Sequence, residues 1–494
     1  MTALHNSIRQ SLLSLPGLGW ILTVCFIAMT FVPRSFDNVL FVDGLAYASI
    51  ARNMALGQGS FWQPHFADSF WLTHNNLCSF FCEHPPLMFG MQSLLFRIFG
   101  DSPAVENLYN AIILFASVFL ISTIWKVLFR NDIAIKNQSW LPVFLWYGLR
   151  IVWWSVPNNL LDTTMAVFCL AACYFQLKAF TQNRFRAAYW ILAGIMIVLA
   201  CLTKGPVGLF PLAFPLIYTI IYERRNWRKG LTGLAIVGCS FLLLAGLILL
   251  YPPAKLLISN YFQGQILMAL LKKREKVSGD WTAHFYLPKL LIKNIIPHLL
   301  LVTGLFVTNK LSKIDIQFSQ SVRRAAQLAF LITISILLPM MASVKQGDYY
   351  LMPALPFVGL FFAACAVPML LALFQKSERL PQFVMIVISV CLFSAMVYRL
   401  INPDKDRACE IANDLKKHVP ANARIYLPPP ITMFSELHTP FQRYARLSIA
   451  FDPNETRYLF FDHETKATFD SISNTKNYQI IPLVHGTHLA IRRK

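Results

Sequence analysis

Charge is scarce in this chain, and acidic charge is the scarcer sign. Asp, Glu, Lys and Arg together make 14% of its 494 residues while hydrophobic residues make 56%, where ordinary globular proteins carry about 25% charged residues. A chain so poor in charge, with a mean hydropathy of +0.51, is not a soluble globular protein and reads as a polytopic membrane protein. The 24 acidic residues against 44 Lys and Arg give a formal charge of +20. Nucleic acid is discounted as the reason for that excess, because much of the Lys and Arg falls in short loops between apolar runs, where cytoplasmic anchoring beside anionic lipid places it. Internal repeats and low-complexity segments are absent. No clean small-residue cleavage site follows the first apolar run, which reads as an uncleaved anchor. Cysteine does not form a secreted scaffold: Cys25, Cys169, Cys173, Cys201, Cys239, Cys365 and Cys391 lie inside apolar runs and read as small buried hydrophobes, leaving Cys78, Cys82 and Cys409 in polar segments.

What is present is a succession of apolar runs. A helix needs about 20 mostly apolar residues to span a bilayer. About eleven such segments are read, at 18–36, 108–129, 140–156, 165–180, 188–203, 207–222, 231–251, 290–308, 325–342, 350–374 and 383–401. With the N-terminus cytoplasmic, the even-numbered loops collect Arg130 and Lys136, then Arg184 and Arg186, Arg224 to Lys229, Arg323 and Arg324, and Lys376 and Arg379, a consistent positive-inside pattern. The opposite, extracytoplasmic face receives 37–107, 252–289 and everything after Asn402. The expected organisation is a transmembrane domain over 1–401 and a soluble extracytoplasmic domain over 402–494. In that tail the charge density rises and short β-like runs occur at 424–427, 457–461, 478–484 and 488–492. One helix candidate, "DRACEIANDLKKH", has an acidic start and a basic end that suit the macrodipole. The fold class is thus an α-helical polytopic membrane protein with interfacial helices and a small C-terminal mixed α/β domain.

The polar stretches on the extracytoplasmic face hold the candidate site. "FVDGLAYASIARNMALGQGSF" places Ala46, Ile50 and Met54 on one face of a helix with Tyr47 beside them, and "GQG" ends it. Too short to span, this helix is expected along the membrane interface. Asp43 stands at its N-terminal end, where the macrodipole favours a carboxylate; an ordinary capping acid is the plain alternative. In "FCEHPPLMFGMQSLLFRIFG" the pair Pro85–Pro86 fixes a rigid entry to a second interfacial helix and presents Glu83 and His84. Lys204 in "LTKGP" lies between two apolar runs, where burial without a partner is costly, so it is either a site cation or a snorkelling lysine. Arg150 in "YGLRIVWWSVP" lies within a span and is expected to pair with a phosphate or an acid, Asp162 being the candidate. "LKKREK", residues 271–276, reads either as a meeting point with lipid headgroups or a carrier phosphate, or as a solvated loop.

Taken in order, "DGLAYASIARNMALGQG", the carboxylate-basic-Pro-Pro-Leu corner, an "FG" after the next helix, "ACLTKGPVGLFP" and "SVKQGDYYLMPALP" resemble the polytopic GT-C glycosyltransferases. The resemblance is to the lipid-linked-sugar family that includes lipid A aminoarabinose transferases and relatives of the protein O-mannosyltransferases, and it extends over roughly Asp43 to Phe357. It implies transfer of a sugar from a polyprenyl-phosphate carrier to an acceptor on the outer side of a bacterial inner membrane. Such chemistry needs cations where charge develops on the leaving phosphate and a carboxylate near the attacking oxygen. The resemblance makes Asp43, Glu83 and Asp162 the catalytic carboxylates and directs Lys204, Lys345, Tyr350 and His84 to the donor phosphate, to which the intramembrane position of Arg150 adds a further cation. Asp162, in "NNLLDTTMAVF", is otherwise a first-turn acid. Asp43 acts as general base toward a hydroxyl acceptor, or orients and stabilises where the acceptor is itself a phosphate. Two departures stand out: Gly44 where the family usually has a second acid, and His84 where it usually has Lys, which changes the charge at the corner over the physiological range.

The one cofactor the resemblance raises is a divalent metal, which some relatives hold, with Glu83 and His284 as the candidate ligands. The run His74, Cys78, Cys82, Glu83 and His84 has zinc-type ligands without a zinc-type spacing, and its cysteines equally form a disulfide or remain thiols. A transporter or flippase of a lipid-linked or anionic substrate is the alternative function. It would use intramembrane charges as a relay and show internal repeats, whereas here the polar residues cluster on one face. A non-catalytic assembly factor is third. The acceptor is a cell-envelope glycolipid such as lipid A, another glycan or a protein hydroxyl, and the aromatic, basic surroundings favour an amphiphilic anionic one.

Overall fold

The computed structural model describes residues 14–37, 39–68, 78–271, 281–344, 346–429, 431, 435–472 and 477–493. Its helices run, in chain order, α1 (Leu15–Phe31), α2 (Val42–Ala55), α3 (Leu87–Phe99), α4 (Ala104–Leu128), α5 (Trp140–Tyr147), α6 (Arg150–Ser155), α7 (Leu161–Thr181), α8 (Arg186–Lys204), α9 (Phe214–Tyr222), α10 (Trp227–Leu249), α11 (Pro252–Tyr261), α12 (Tyr286–Leu311), α13 (Gln320–Met340), α14 (Leu355–Lys376), α15 (Arg379–Ile401) and α16 (Arg407–Leu415). Among the described residues nine helices are long and apolar enough to cross a membrane, and the chain is a multi-pass membrane protein.

Two of the eleven apolar runs expected from the sequence fall outside these nine because each is interrupted. At 140–155 the chain turns extended at Leu149 (φ −73°, ψ 126°), so α5 and α6 are separate short helices. At 206–222 three prolines remove amide donors, and the first eight residues, Pro206–Ala213, adopt a 3-10 helix before the nine of α9. A proline inside an α-helix clashes with the carbonyl four residues back, and a 3-10 turn avoids that register. The composite still reaches far: eight residues at about 2.0 Å and nine at about 1.5 Å give about 30 Å, the thickness of the hydrocarbon core.

The helical part has one extended core in which α7 packs on α8, α14 on α5 and α13, and α15 on α1. α10, α12 and α15 keep most of their apolar surface outward, as helices that face lipid do.

After α15 comes a five-stranded sheet of β1 (Arg424–Tyr426), β2 (Ser448–Ala450), β3 (Tyr458–Phe461), β4 (Tyr478–Pro482) and β5 (His488–Arg492), in the order β2-β1-β3-β5-β4. β1 pairs parallel to β2 and β3, and β5 antiparallel to β3 and β4. Four strands fall where alternation placed them. β2, three residues long and wholly buried, carries no alternation to read. Asp406 caps α16 by accepting from the Cys409 amide at 2.9 Å.

α2 departs from the half-exposed interfacial helix expected of it. Residues Gly44 to Met54 are all buried, because α3 and α4 cover one side and the C-terminal domain covers the other.

Candidate active site

Lys204 ends α8, and Gly205 makes that end possible. Gly205 has φ +81°, a conformation other residues adopt at a cost, and a Cβ there would meet the Tyr261 hydroxyl at 2.3 Å. In that close approach the Tyr261 hydroxyl donates to the Lys204 carbonyl at 3.0 Å. The Lys204 side chain turns inward and is 7% exposed, so it does not snorkel. Its ammonium pairs with Oδ2 of Asp162, in the first turn of α7 and 2% exposed, and sits over the rings of Tyr350 (4.2 Å) and Tyr349 (4.8 Å). A buried lysine needs compensation of this kind. Asp162 Oδ1 has no hydrogen-bond partner among the described residues.

Tyr349 joins this cation to the first carboxylate. Its ring lies under Lys204 while its hydroxyl donates to Asp43 Oδ2 at 2.9 Å. Burial and the Asp43 charge push the Tyr349 phenol well above its ordinary range, so it stays a donor throughout the working pH range. Asp43 is not a cap: the capping position of α2 is Phe41. Trp154 stacks on Tyr349 with ring centres 6.5 Å apart.

The turn before α7 fixes where α2 starts. Asn158 Oδ1 accepts from the Phe41 amide at 2.9 Å and from Arg34 at 3.0 Å. Asn159, in the left-handed region at φ 55°, donates to the Gly44 carbonyl at 3.0 Å. Gly44 lies so close to this turn that a Cβ would stand 2.1 Å from the Asn158 carbonyl oxygen. A second acid cannot occupy 44 without displacing the turn, which accounts for that departure.

Lys204, Asp162, His84, Tyr350 and Tyr261 line a cavity of about 600 Å³. Its remaining walls are mostly apolar, supplied by the 3-10 segment, residues 265–270 and the last turns of α13. A π-helical turn at Phe262–Leu267 brings Gln265 into the lining, 5% exposed. The cavity is mostly apolar, with a cation, an acid and two phenols among its lining residues. Such a lining suits an amphiphilic ligand with an anionic head.

The other candidates divide. His84 lines the cavity, with its ring edge-on to Tyr47 at 5.7 Å; its neighbour Glu83 is half-buried and not among the lining residues. The pairing of Arg150 with Asp162 is not made. Arg150 is exposed at the start of α6, because the break at Leu149 takes it out of any continuous span, and Lys204 holds Asp162 instead. Lys345, His74 and residues 272–276 lie outside the described residues. Cys78 and Cys82 form a disulfide, which removes them as metal ligands. His284 uses Nδ1 on the Met341 carbonyl at 2.7 Å, and no three of His, Cys, Asp and Glu cluster for a metal among the described residues. Sequence reasoning missed Tyr349, although the doublet "YY" in a short 3-10 turn offered two phenols on different sides. It also missed Tyr261 and Gln265, which nothing local marks.

Residues 83–251 match a family model described as dolichyl-phosphate-mannose-protein mannosyltransferase. The chain is 22% identical over 391 residues to undecaprenyl phosphate-alpha-4-amino-4-deoxy-L-arabinose arabinosyl transferase 2 of Proteus mirabilis, covering 77% of this chain and 65% of that protein. It is 28% identical over 172 residues to an uncharacterized protein of Aquifex aeolicus, covering 34% and 35%. The chain thus spans a little under two thirds of the first relative and about a third of the second. Among solved structures it superimposes on ArnT from Cupriavidus metallidurans bound to undecaprenyl phosphate with a TM-score of 0.65 at 14% identity, over 97% of this chain and 98% of that one. Against the apo oligosaccharyltransferase of Archaeoglobus fulgidus the TM-score is 0.51 at 12% identity, over 96% and 74%. These likenesses establish the fold expected from the sequence, a polytopic helical domain followed by a small mixed sheet.

Proposed function

We propose that this chain is a glycosyltransferase that moves a sugar from a polyprenyl-phosphate carrier to a cell-envelope acceptor, on the outer face of a bacterial inner membrane. The observation that carries the reading is the buried Lys204 in the lining of a mostly apolar cavity, with Tyr349 joining it to the Asp43 carboxylate just outside that lining. The ArnT fold and the mannosyltransferase family match support it. The carrier chain occupies the apolar cavity and its phosphate meets Lys204. The acceptor oxygen attacks the anomeric carbon, the bond from that carbon to the phosphate oxygen breaks, and the electron pair leaves on the phosphate, where the Lys204 ammonium stabilises the charge. Asp43 takes the proton of a hydroxyl acceptor, and Tyr349 holds the Asp43 carboxylate in place. Asp162 orients Lys204 before the donor arrives. Glu83 stands behind the His84 corner as a second carboxylate. The active site, the C-terminal domain and residues 37–107 share the extracytoplasmic side, and the acceptor is an amphiphilic anionic glycolipid of the lipid A kind.

The test is donor binding by Lys204→Met, which keeps the apolar stem and removes the charge. A charge-assisted contact contributes about 1.5–3 kcal/mol, so affinity for the polyprenyl-phosphate donor is expected to fall roughly tenfold to hundredfold while affinity for the unphosphorylated polyprenol is unchanged. Equal donor binding by Lys204→Met and the parent removes the phosphate-anchor role.

A further inference from the structure

The helix that carries Asp43 belongs as much to the C-terminal domain as to the membrane part. Successive residues of a helix turn by about 100°, so Leu45 points about 200° away from Asp43. Leu45, 2% exposed, is built into the core of the C-terminal domain beside Ile411, Phe441 and Leu447, and Leu40 leans on the same cluster. Two turns further, on the Leu45 side, the buried Arg52 donates from Nη1 to the carbonyls of Gln442 (2.9 Å) and Arg443 (2.8 Å). The Arg443 guanidinium is itself buried. It grips both carboxylate oxygens of Glu106 at the start of α4 and reaches Asp101 at 2.7 Å, and Arg446 takes the second Asp101 oxygen at 2.9 Å. α2 is thus held from behind by a segment, residues 441–446, that is clamped to the membrane part by its own arginines.

We infer that the C-terminal domain is the back wall of the transfer site, with Arg443 a positioning residue that holds α2 so that Asp43 meets Tyr349. This deepens the sugar-transfer reading and rests on it. Arg443 touches neither Asp43 nor the cavity; it acts through Arg52 and Leu45. A planar fork on two acids is not reproduced by a lysine, so Arg443→Lys keeps the charge and loosens the clamp.

The experiment measures transfer by Arg443→Lys in the full chain, alone and combined with Asp43→Asn. Phe469→Leu is the stability control, since Phe469 is buried in a separate cluster of the sheet away from α2. Arg443→Lys is expected to lower kcat at least about tenfold with the donor KM within about threefold. It should add no further loss to Asp43→Asn, while Phe469→Leu lowers Tm and leaves kcat unchanged. Additive losses, or an equal kcat loss in Phe469→Leu, overturn the inference. If Arg443→Lys does not fold, amide exchange in Leu45→Ala replaces it. Faster exchange across 42–55 with α3 unchanged supports the positioning role, and unchanged exchange in α2 refutes it. Absence of transfer by the parent protein would sink the functional reading instead, and the exchange comparison then decides the inference by itself.

Discussion

A single phenol organises the charges of this site. Tyr349 donates to Asp43 and lies under Lys204, so removing its hydroxyl separates two roles that removing its ring would merge. Tyr349→Phe keeps the ring beneath the ammonium and deletes a hydrogen bond to a carboxylate, a contact of about 1.5–3 kcal/mol. The expected outcome in steady-state transfer is a kcat lowered at least about tenfold with donor KM unchanged, and a shifted donor KM would place Tyr349 on the phosphate instead. At this scale the sequence was most legible where a residue is costly in its setting. The lysine inside an apolar run lines the cavity, and the acid at the head of a short helix is joined to it through Tyr349. It was least legible where the role depends on a distant partner. Arg150 looked as costly as Lys204, yet a local break exposes it, and Tyr349 looked no different from Tyr350.

At the scale of elements, hydropathy located the apolar helices but not their interruptions. The 3-10 stretch at Pro206–Ala213 has the same apolar composition as the helices around it, the π turn at Phe262–Leu267 lies in a segment read as an external loop, and both line the cavity. Gly205 starts the first of these, and its demand is visible only with Tyr261 in place. Gly205→Ala puts a methyl on the Tyr261 hydroxyl and a side chain at positive φ. The expected result is a destabilisation of about 1–3 kcal/mol, read as a lower melting temperature in detergent, together with weaker donor binding because Lys204 is the preceding residue. An unchanged melting temperature would show that the turn relaxes freely. α2 carries a similar lesson. Its sequence has the stripe of an interfacial helix, and only the docked C-terminal domain makes it a buried one.

At the scale of the molecule, the two parts are joined by arginines and acids rather than by a broad apolar face alone. Burial pushes the Asp101 carboxyl up, but the facing charges of Arg443, Arg52 and Arg446 outweigh it and hold it below the usual carboxylate range. A carboxyl depressed in the folded state contributes stability that is present above its unfolded pKa of about 3.9 and is lost as pH falls through its folded value. Melting temperature is therefore expected to drop on acidification below about pH 4, and Asp101→Asn should reduce that acid-side loss while lowering stability at neutral pH. A parallel acid limb in both proteins would exclude Asp101 as its source. None of this docking was readable from the chain, since Arg443 and Glu106 are 337 residues apart.

The central claim is that Asp43 performs chemistry at a site where Lys204 holds a lipid-linked phosphate. It is tested most directly by purified protein in liposomes containing a polyprenyl-phosphate-linked sugar and a glycolipid acceptor, following release of the free carrier phosphate for the parent and for Asp43→Asn. The account predicts acceptor-dependent release by the parent, and by Asp43→Asn release slowed at least about tenfold, equivalent to about 1.4 kcal/mol of barrier, with donor binding and melting temperature unchanged. Equal release by the two proteins, or a loss of release matched by a loss of folded protein, would contradict it.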